Sequence, residues 1–286
     1  MNLFSFINFF KSKKGIDFLK LHKELSDSKL IDIDINKSYQ YFNEPFEHIL
    51  CENFFLNFNK LNFSFPKYKD MSSPIRMHGD LTFPDKNYID LVKNNYEYGI
   101  LHNWVYSKNF IKYFLNIFKE DIIKRFQNKE LIYNPLKIDI RPEPYEVRGN
   151  ILSRKNQSNE LFLFPRIDIG VGLKKYGEVN GGRGPHIDNL TRLISIMIYF
   201  TNQKDIEGGE FRMYTINNEY NYVINKTIPI KENLLLASLQ SNYAFHDVNP
   251  LVRGERKAMY LSISCSKKIW SDFKDDKLKF LSKNRK

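Results

Sequence analysis

Two textures divide the chain. Up to about residue 130 the longest apolar pattern is helical: Asn109 to Lys124 carries apolar residues at mixed three- and four-residue spacing, the mark of an amphipathic helix. Between the helical pieces, Phe63 to Tyr68 and Ser72 to Asp80 read as loop. From about 131 the texture turns to strand. Leu136 to Arg141, Leu161 to Gly172, Arg192 to Phe200, Glu210 to Tyr214 (behind Gly208 and Gly209) and Arg256 to Ser264 are rich in β-branched and aromatic residues. Short strands with turn signals and no long helices between them predict a jelly roll or sandwich. The expected organisation is a mainly helical support region over 1–130, integrated with a β core over 131–270, and a charged tail over 271–286.

Alternation along two strands sharpens this expectation. In the last strand Arg256, Ala258, Tyr260, Ser262 and Ser264 share one face, and Met259, Leu261, Ile263 and Cys265 the other. Over Arg192 to Phe200, Ser195 and Tyr199 stand opposite Ile194, Ile196, Ile198 and Phe200. A barrel strand needs this division when its inner side lines a wet pocket and its outer side packs under helices. The aromatic helix around Phe110 to Ile123 has the character to cover that outer side.

Composition narrows the functional classes. The chain has 286 residues, 42% hydrophobic and 15% aromatic, which suits a soluble globular protein. Its formal charge of +11 invites a nucleic-acid reading, but the basic residues are scattered and no nucleic-acid motif accompanies them. A bias toward anionic substrates is what the charge leaves. Two cysteines far apart, Cys51 and Cys265, argue against structural zinc and disulfides and fit a reducing cytoplasm. The apolar run Met1 to Phe10 is too short to span a bilayer and reads as the buried first turn of a helix. No transmembrane segment is expected, and nothing in the pattern bears on oligomeric state.

Candidate chemistry gathers between Gly181 and Lys257. His186-Ile187-Asp188 places two ligand types two residues apart, so that on an extended strand both face one metal while Ile187 packs behind. His246 follows with 57 residues between it and Asp188, the kind of distance a curled antiparallel sheet closes. Two imidazoles and one carboxylate occupy one face of an octahedral ion and leave three positions open, an arrangement of non-haem Fe(II) oxygenases. A second copy, His78-Gly79-Asp80, has no later histidine at a useful distance and reads as a solvated turn.

The run Tyr176, His186-Ile187-Asp188-Asn189, Arg192, Tyr199, Gly208-Gly209, His246-Asp247-Val248, Pro250, Arg256 resembles the 2-oxoglutarate/Fe(II) oxygenases of the prolyl-hydroxylase-like superfamily over roughly residues 160–266. The resemblance implies a double-stranded β-helix, with Fe(II), 2-oxoglutarate and O2 as the working groups. His186, Asp188 and His246 would hold the metal, and Arg256, ten positions after His246, would bind the distal carboxylate of 2-oxoglutarate. Tyr176 and Tyr199 would lie beside that cosubstrate. Asp188 stands where related halogenases carry a small residue, which implies hydroxylation or another oxidation. The expected substrate is a small molecule or glycan precursor in preference to a peptidyl proline, with Arg183, Arg76, His78 and Asp80 as candidates to touch it. Two alternatives stand beside this reading: a non-catalytic cupin-like binding module, and a zinc hydrolase using the same triad. The intact triad argues against the first, and Arg256 has no role in the second.

Overall fold

A computed structural model describes residues 39–71, 78–83, 85–142, 146–147, 150–151, 160–173 and 184–271. The apolar run at Met1 to Phe10, the tail over 272–286, and Tyr176, Arg76 and Arg183 lie outside the described residues.

Thirteen strands and five α-helices are described. In chain order the strands are β1 (Gln40–Phe42), β2 (His48–Cys51), β3 (His78–Thr82), β4 (Asp139–Ile140), β5 (Glu146–Val147), β6 (Asn150–Ile151) and β7 (Phe162–Leu173). There follow β8 (Arg192–Tyr199), β9 (Phe211–Ile216), β10 (Tyr222–Ile228), β11 (Leu235–Leu239), β12 (His246–Val248) and β13 (Glu255–Cys265). The helices are α1 (Phe58–Phe63), α2 (Lys86–Asn94), α3 (Tyr96–Val105), α4 (Lys108–Ile117) and α5 (Lys119–Gln127).

The large sheet runs β1-β2-β11-β8-β13-β7-β3, with β4 also paired to β7. The small sheet runs β10-β9-β12, and a bridge between His186 and His246 lays the His-x-Asp segment against the outer edge of β12. The two sheets form a mainly β core with flanking helices, the jelly roll that the pattern predicts and the double-stranded β-helix that the resemblance implies. The outer face of the large sheet joins Ile196, Ile198, Met259, Leu261 and Ile263 to Phe110, Phe114 and Phe118 in one core. Met259 and Ile263 are fully buried there, each worth about 1.5–3 kcal/mol of transfer free energy. Between the sheets a second, smaller cluster forms from Met197, Tyr199, Phe211, Met213, Leu236 and Ala258. The alternation read from β8 and β13 therefore assigns both faces correctly.

Three local expectations are corrected. The segment around His78 and Asp80 is strand β3, not a turn, because its backbone pairs with β7 from His78 opposite Gly172 to Thr82 opposite Asp168. The described part of the region before 131 carries all five α-helices and also supplies β1, β2 and β3 to the large sheet, where β2 pairs with β11. The long amphipathic run breaks in two at Phe118, where backbone φ −99° and ψ 18° lie outside the helical well between α4 and α5. Over Leu136 to Arg141 only Asp139–Ile140 is strand, because a 3-10 turn over Pro135–Lys137, begun by Pro135 and capped by the Asn134 side chain, takes up the start of the run.

Candidate metal centre

The three predicted ligands come together. One donor atom from each of His186, Asp188 and His246 can be chosen so that all lie within 4.8 Å of one another. Backbone pairing explains the approach: His186 N donates to His246 O at 3.0 Å and His246 N to His186 O at 2.9 Å. The imidazole centroids are 4.8 Å apart with an interplanar angle of 50°. Ile187 alternates to the other side and packs in a small cluster with Tyr214 and Phe245.

Each ring is oriented by its own loop. His186 Nδ1 lies 2.9 Å from Gly184 O, and His246 Nδ1 lies 2.9 Å from Ala244 O. A carbonyl can only accept, so both Nδ1 atoms carry the proton and the lone pair of each ring sits on Nε2, the usual outer-shell arrangement of metal-binding histidines. Phe211 stacks on His246 at 5.1 Å and 20°. On the opposite face of β12 Asp247 is gripped by Arg212, Nε to Oδ1 at 2.7 Å and Nη2 to Oδ2 at 2.6 Å.

Asp188 is held by two donors on one oxygen. Ser195 Oγ donates to Oδ2 at 2.7 Å, and Arg192 Nη1 lies 2.9 Å from the same atom. Burial opposes the charge of this carboxylate, but Arg192, then His246, the Ser195 hydroxyl and His186 outweigh it and hold the carboxyl well below the usual carboxylate range. An ionised carboxylate and two imidazoles, each with a lone pair at Nε2, form a donor set suited to a divalent cation with open positions.

Arg256 is the buried member of the basic trio at the start of β13. It is 3% exposed, whereas Arg253 is exposed and Lys257 half-buried. Its guanidinium donates to Tyr260 Oη through Nη1 and to Met197 Sδ at 3.0 Å through Nη2, and Nε has no hydrogen-bond partner. Among the described residues it has no carboxylate partner within salt-bridge distance. Burial works against this charge, and the neighbouring Tyr260 and Tyr199 offset it, so that the guanidinium stays protonated. A buried cation without an anion is costly, and a ligand carboxylate is what would complete it. Gly209 shapes the same place: a Cβ there would meet Arg256 Cδ at 2.9 Å.

Tyr199 is fully buried with its ring 5.8 Å from the Arg256 guanidinium carbon. Burial pushes its phenol up, against the pull of Arg256. Ser195 and Tyr260 stand on the inward faces that the alternation of β8 and β13 marks out, and Arg192 and Gly209 belong to the run that carries the resemblance; sequence reasoning assigns no specific task to any of the four, and Phe211 reads there only as a strand residue.

Residues 171–263 match the family model of the 2OG-Fe(II) oxygenase superfamily, which bears out the resemblance and implies Fe(II), 2-oxoglutarate and O2 as its working groups. No curated protein matches the chain. A 2OG-Fe(II) oxygenase family oxidoreductase from Burkholderia pseudomallei is 18% identical, with 39% of this chain and 46% of that chain covered and a TM-score of 0.28. The chain thus spans about half of that relative. A prolyl 4-hydroxylase from Phytophthora capsici is 14% identical over 88% and 67% of the two chains, with a TM-score of 0.39. The viral collagen prolyl hydroxylase of Paramecium bursaria Chlorella virus-1, solved with 2OG, is 12% identical over 76% and 94%, with a TM-score of 0.35.

Proposed function

We propose that the chain is a 2-oxoglutarate- and Fe(II)-dependent dioxygenase that hydroxylates an unactivated C–H bond while 2-oxoglutarate is decarboxylated to succinate. The observation that carries this reading is the buried guanidinium of Arg256, which among the described residues has no carboxylate partner and lies beside Tyr199, a member of the cluster that also holds Phe211, the ring stacked on His246. A hydrolase using the same three ligands would have no use for that guanidinium.

His186, Asp188 and His246 would hold Fe(II), with two neutral imidazoles and one carboxylate leaving three positions for cosubstrate and O2. Bound there, the metal supplies the redox chemistry that couples O2 reduction to loss of CO2 and to oxidation of the substrate. The protein's part is to bind and orient. Arg256 pairs with the distal carboxylate through a charge-assisted contact, and Gly209 leaves its side chain room to lie flat. Tyr260, which accepts from Arg256 Nη1, holds the guanidinium in place. Tyr199 walls the same space and excludes water from it. Arg192 and Ser195 both occupy Oδ2 of Asp188, which disfavours bidentate ligation and keeps coordination positions open. The substrate is a small molecule or glycan precursor.

Anaerobic addition of Fe(II) and 2-oxoglutarate tests the reading directly. A weak visible charge-transfer band should appear, and should be lost in His246→Ala and need far more 2-oxoglutarate in Arg256→Ala. A wild-type protein that binds Fe(II) but gives no band with 2-oxoglutarate would refute it.

A further inference from the structure

Away from the metal row, a groove of about 450 Å³ opens at the tip of the β9–β10 hairpin. Its floor is aromatic: Phe245 and Tyr214 are 1% and 5% exposed and are joined by the backbone bond from Tyr214 N to Phe245 O at 2.9 Å. Tyr220 and Tyr243 stand with them in the lining, Tyr243 at 46% exposure, and Asn217 and Asn218 line the hairpin side. The turn between β1 and β2 closes the far wall. None of the nine lining residues carries a charge, although 27% of the chain is charged.

The hairpin tip is held in shape rather than left to collapse. Asn217 Oδ1 accepts from Glu219 N at 3.0 Å and from Asn221 N at 2.9 Å. Tyr220 takes φ 62°, a conformation that side chains other than glycine adopt at a cost and that commonly marks a functional position. The groove is therefore a built concavity with flat aromatic faces, amide groups that both donate and accept, and no ion.

We propose that this groove binds a neutral saccharide. Aromatic faces of Tyr243 and Tyr220 match the C–H faces of a pyranose, the Asn217 Nδ2 group donates to its hydroxyls, and the Asn218 amide serves them in both hydrogen-bonding senses. A phosphate or carboxylate would find no counter-ion in the lining. The groove lies on the face of the small sheet that Ile187, Tyr214 and Phe245 share, opposite the metal ligands, so the saccharide bound there is a ligand separate from the reacting centre. The binding itself does not depend on the metal.

The test is saturation-transfer NMR on the metal-free full chain with maltotriose, cellotriose and chitotriose, with glucose 6-phosphate and triproline as comparators. At least one trisaccharide should bind, with a Kd on the order of millimolar for so open a site. Tyr243→Ala and Asn218→Asp should each weaken it at least about fivefold, the effect of 1 kcal/mol. Asn218 is exposed in a turn and its substitution conserves shape, so Asn218→Asp decides the matter if Tyr243→Ala lowers the melting temperature. Binding of no trisaccharide, binding indifferent to Asn218→Asp, or tighter binding of glucose 6-phosphate or triproline would overturn the proposal. Because no metal is present, failure here leaves the oxygenase reading standing, and a missing charge-transfer band leaves this one standing.

Discussion

Removing Arg192 should change how the site titrates and not merely how well it folds. The Arg192 guanidinium lies 2.9 Å from Asp188 Oδ2, with side chains 27% and 15% exposed, and it is the largest influence keeping that carboxyl ionised against burial. In Arg192→Ala burial meets weaker opposition, so the Asp188 pKa rises toward the ordinary carboxylate range. The sign follows: a depressed carboxylate contributes stability above its unfolded pKa and loses it as pH falls through the folded one. The variant loses that contribution at neutral pH, about 1.5–3 kcal/mol for a charged hydrogen-bonded contact. Divalent-metal affinity should fall about 10–100-fold, the usual effect of removing an outer-shell partner. Its acid limb should also move to higher pH. Anaerobic Fe(II) titrations at several pH values, with Co(II) absorption to follow the ligand field, read both effects. Wild-type affinity together with an unmoved acid limb in Arg192→Ala would refute the claim that this clamp sets the carboxylate.

Arg256→Lys should keep a measurable requirement for 2-oxoglutarate and Arg256→Ala should raise it at least tenfold, roughly the worth of a charge-assisted contact, while exposed Arg253→Ala leaves it unchanged; saturation curves of succinate formation decide this. His48 is fully buried and burial holds its pKa down to about 4, with Lys226 3.1 Å from its Nε2. It stays neutral in the folded protein, so its share of stability is complete above pH 6.5 and is lost as pH falls from there toward 4, by up to ~3 kcal/mol. Denaturant melts of His48→Gln should show a flatter pH dependence over that window, and an unchanged slope would contradict the assignment. Residues 131–286 expressed alone should be insoluble, because β11 loses its partner β2 and β7 its partner β3, and the outer face loses α4; a soluble, cooperatively melting fragment would show the opposite.

The parts of this molecule legible from sequence are those where one local rule decides. Period-two alternation in β8 and β13 gave both faces of the large sheet, and the His-x-Asp spacing singled out His186 and Asp188, which the fold brings together with His246. What stayed hidden depends on contacts distant in the chain. β3 looks like a loop because His78-Gly79-Asp80 has little strand propensity, and only pairing with β7 makes it a strand. β10 and β11 lie in polar and mixed surroundings that carry no alternation of their own, yet β11 is buried throughout between β2 and β8. The break at Phe118 is a matter of packing, since that ring is fully buried between two helices whose combined apolar pattern reads as continuous.

The order of strands has a kinetic meaning. β7 and β8 follow one another along the chain but never touch in the sheet, because β13 lies between them, pairing with β7 from Glu255 to Cys265 and with β8 from Ala258 to Ser264. Neither strand can complete its ladder until a segment made more than fifty residues later threads into the gap. Until then both present unpaired backbone edges flanked by isoleucine and phenylalanine, the composition most prone to pairing with another molecule. Insertion of β13, a non-local event that must close long loops before any hydrogen bond rewards it, is expected to be the slow step of folding, to be checked by stopped-flow refolding of variants in β13. The strand that carries Arg256 is thus also the one whose arrival separates a productive chain from an aggregating one, and lowering the concentration or temperature during refolding should favour its insertion over association.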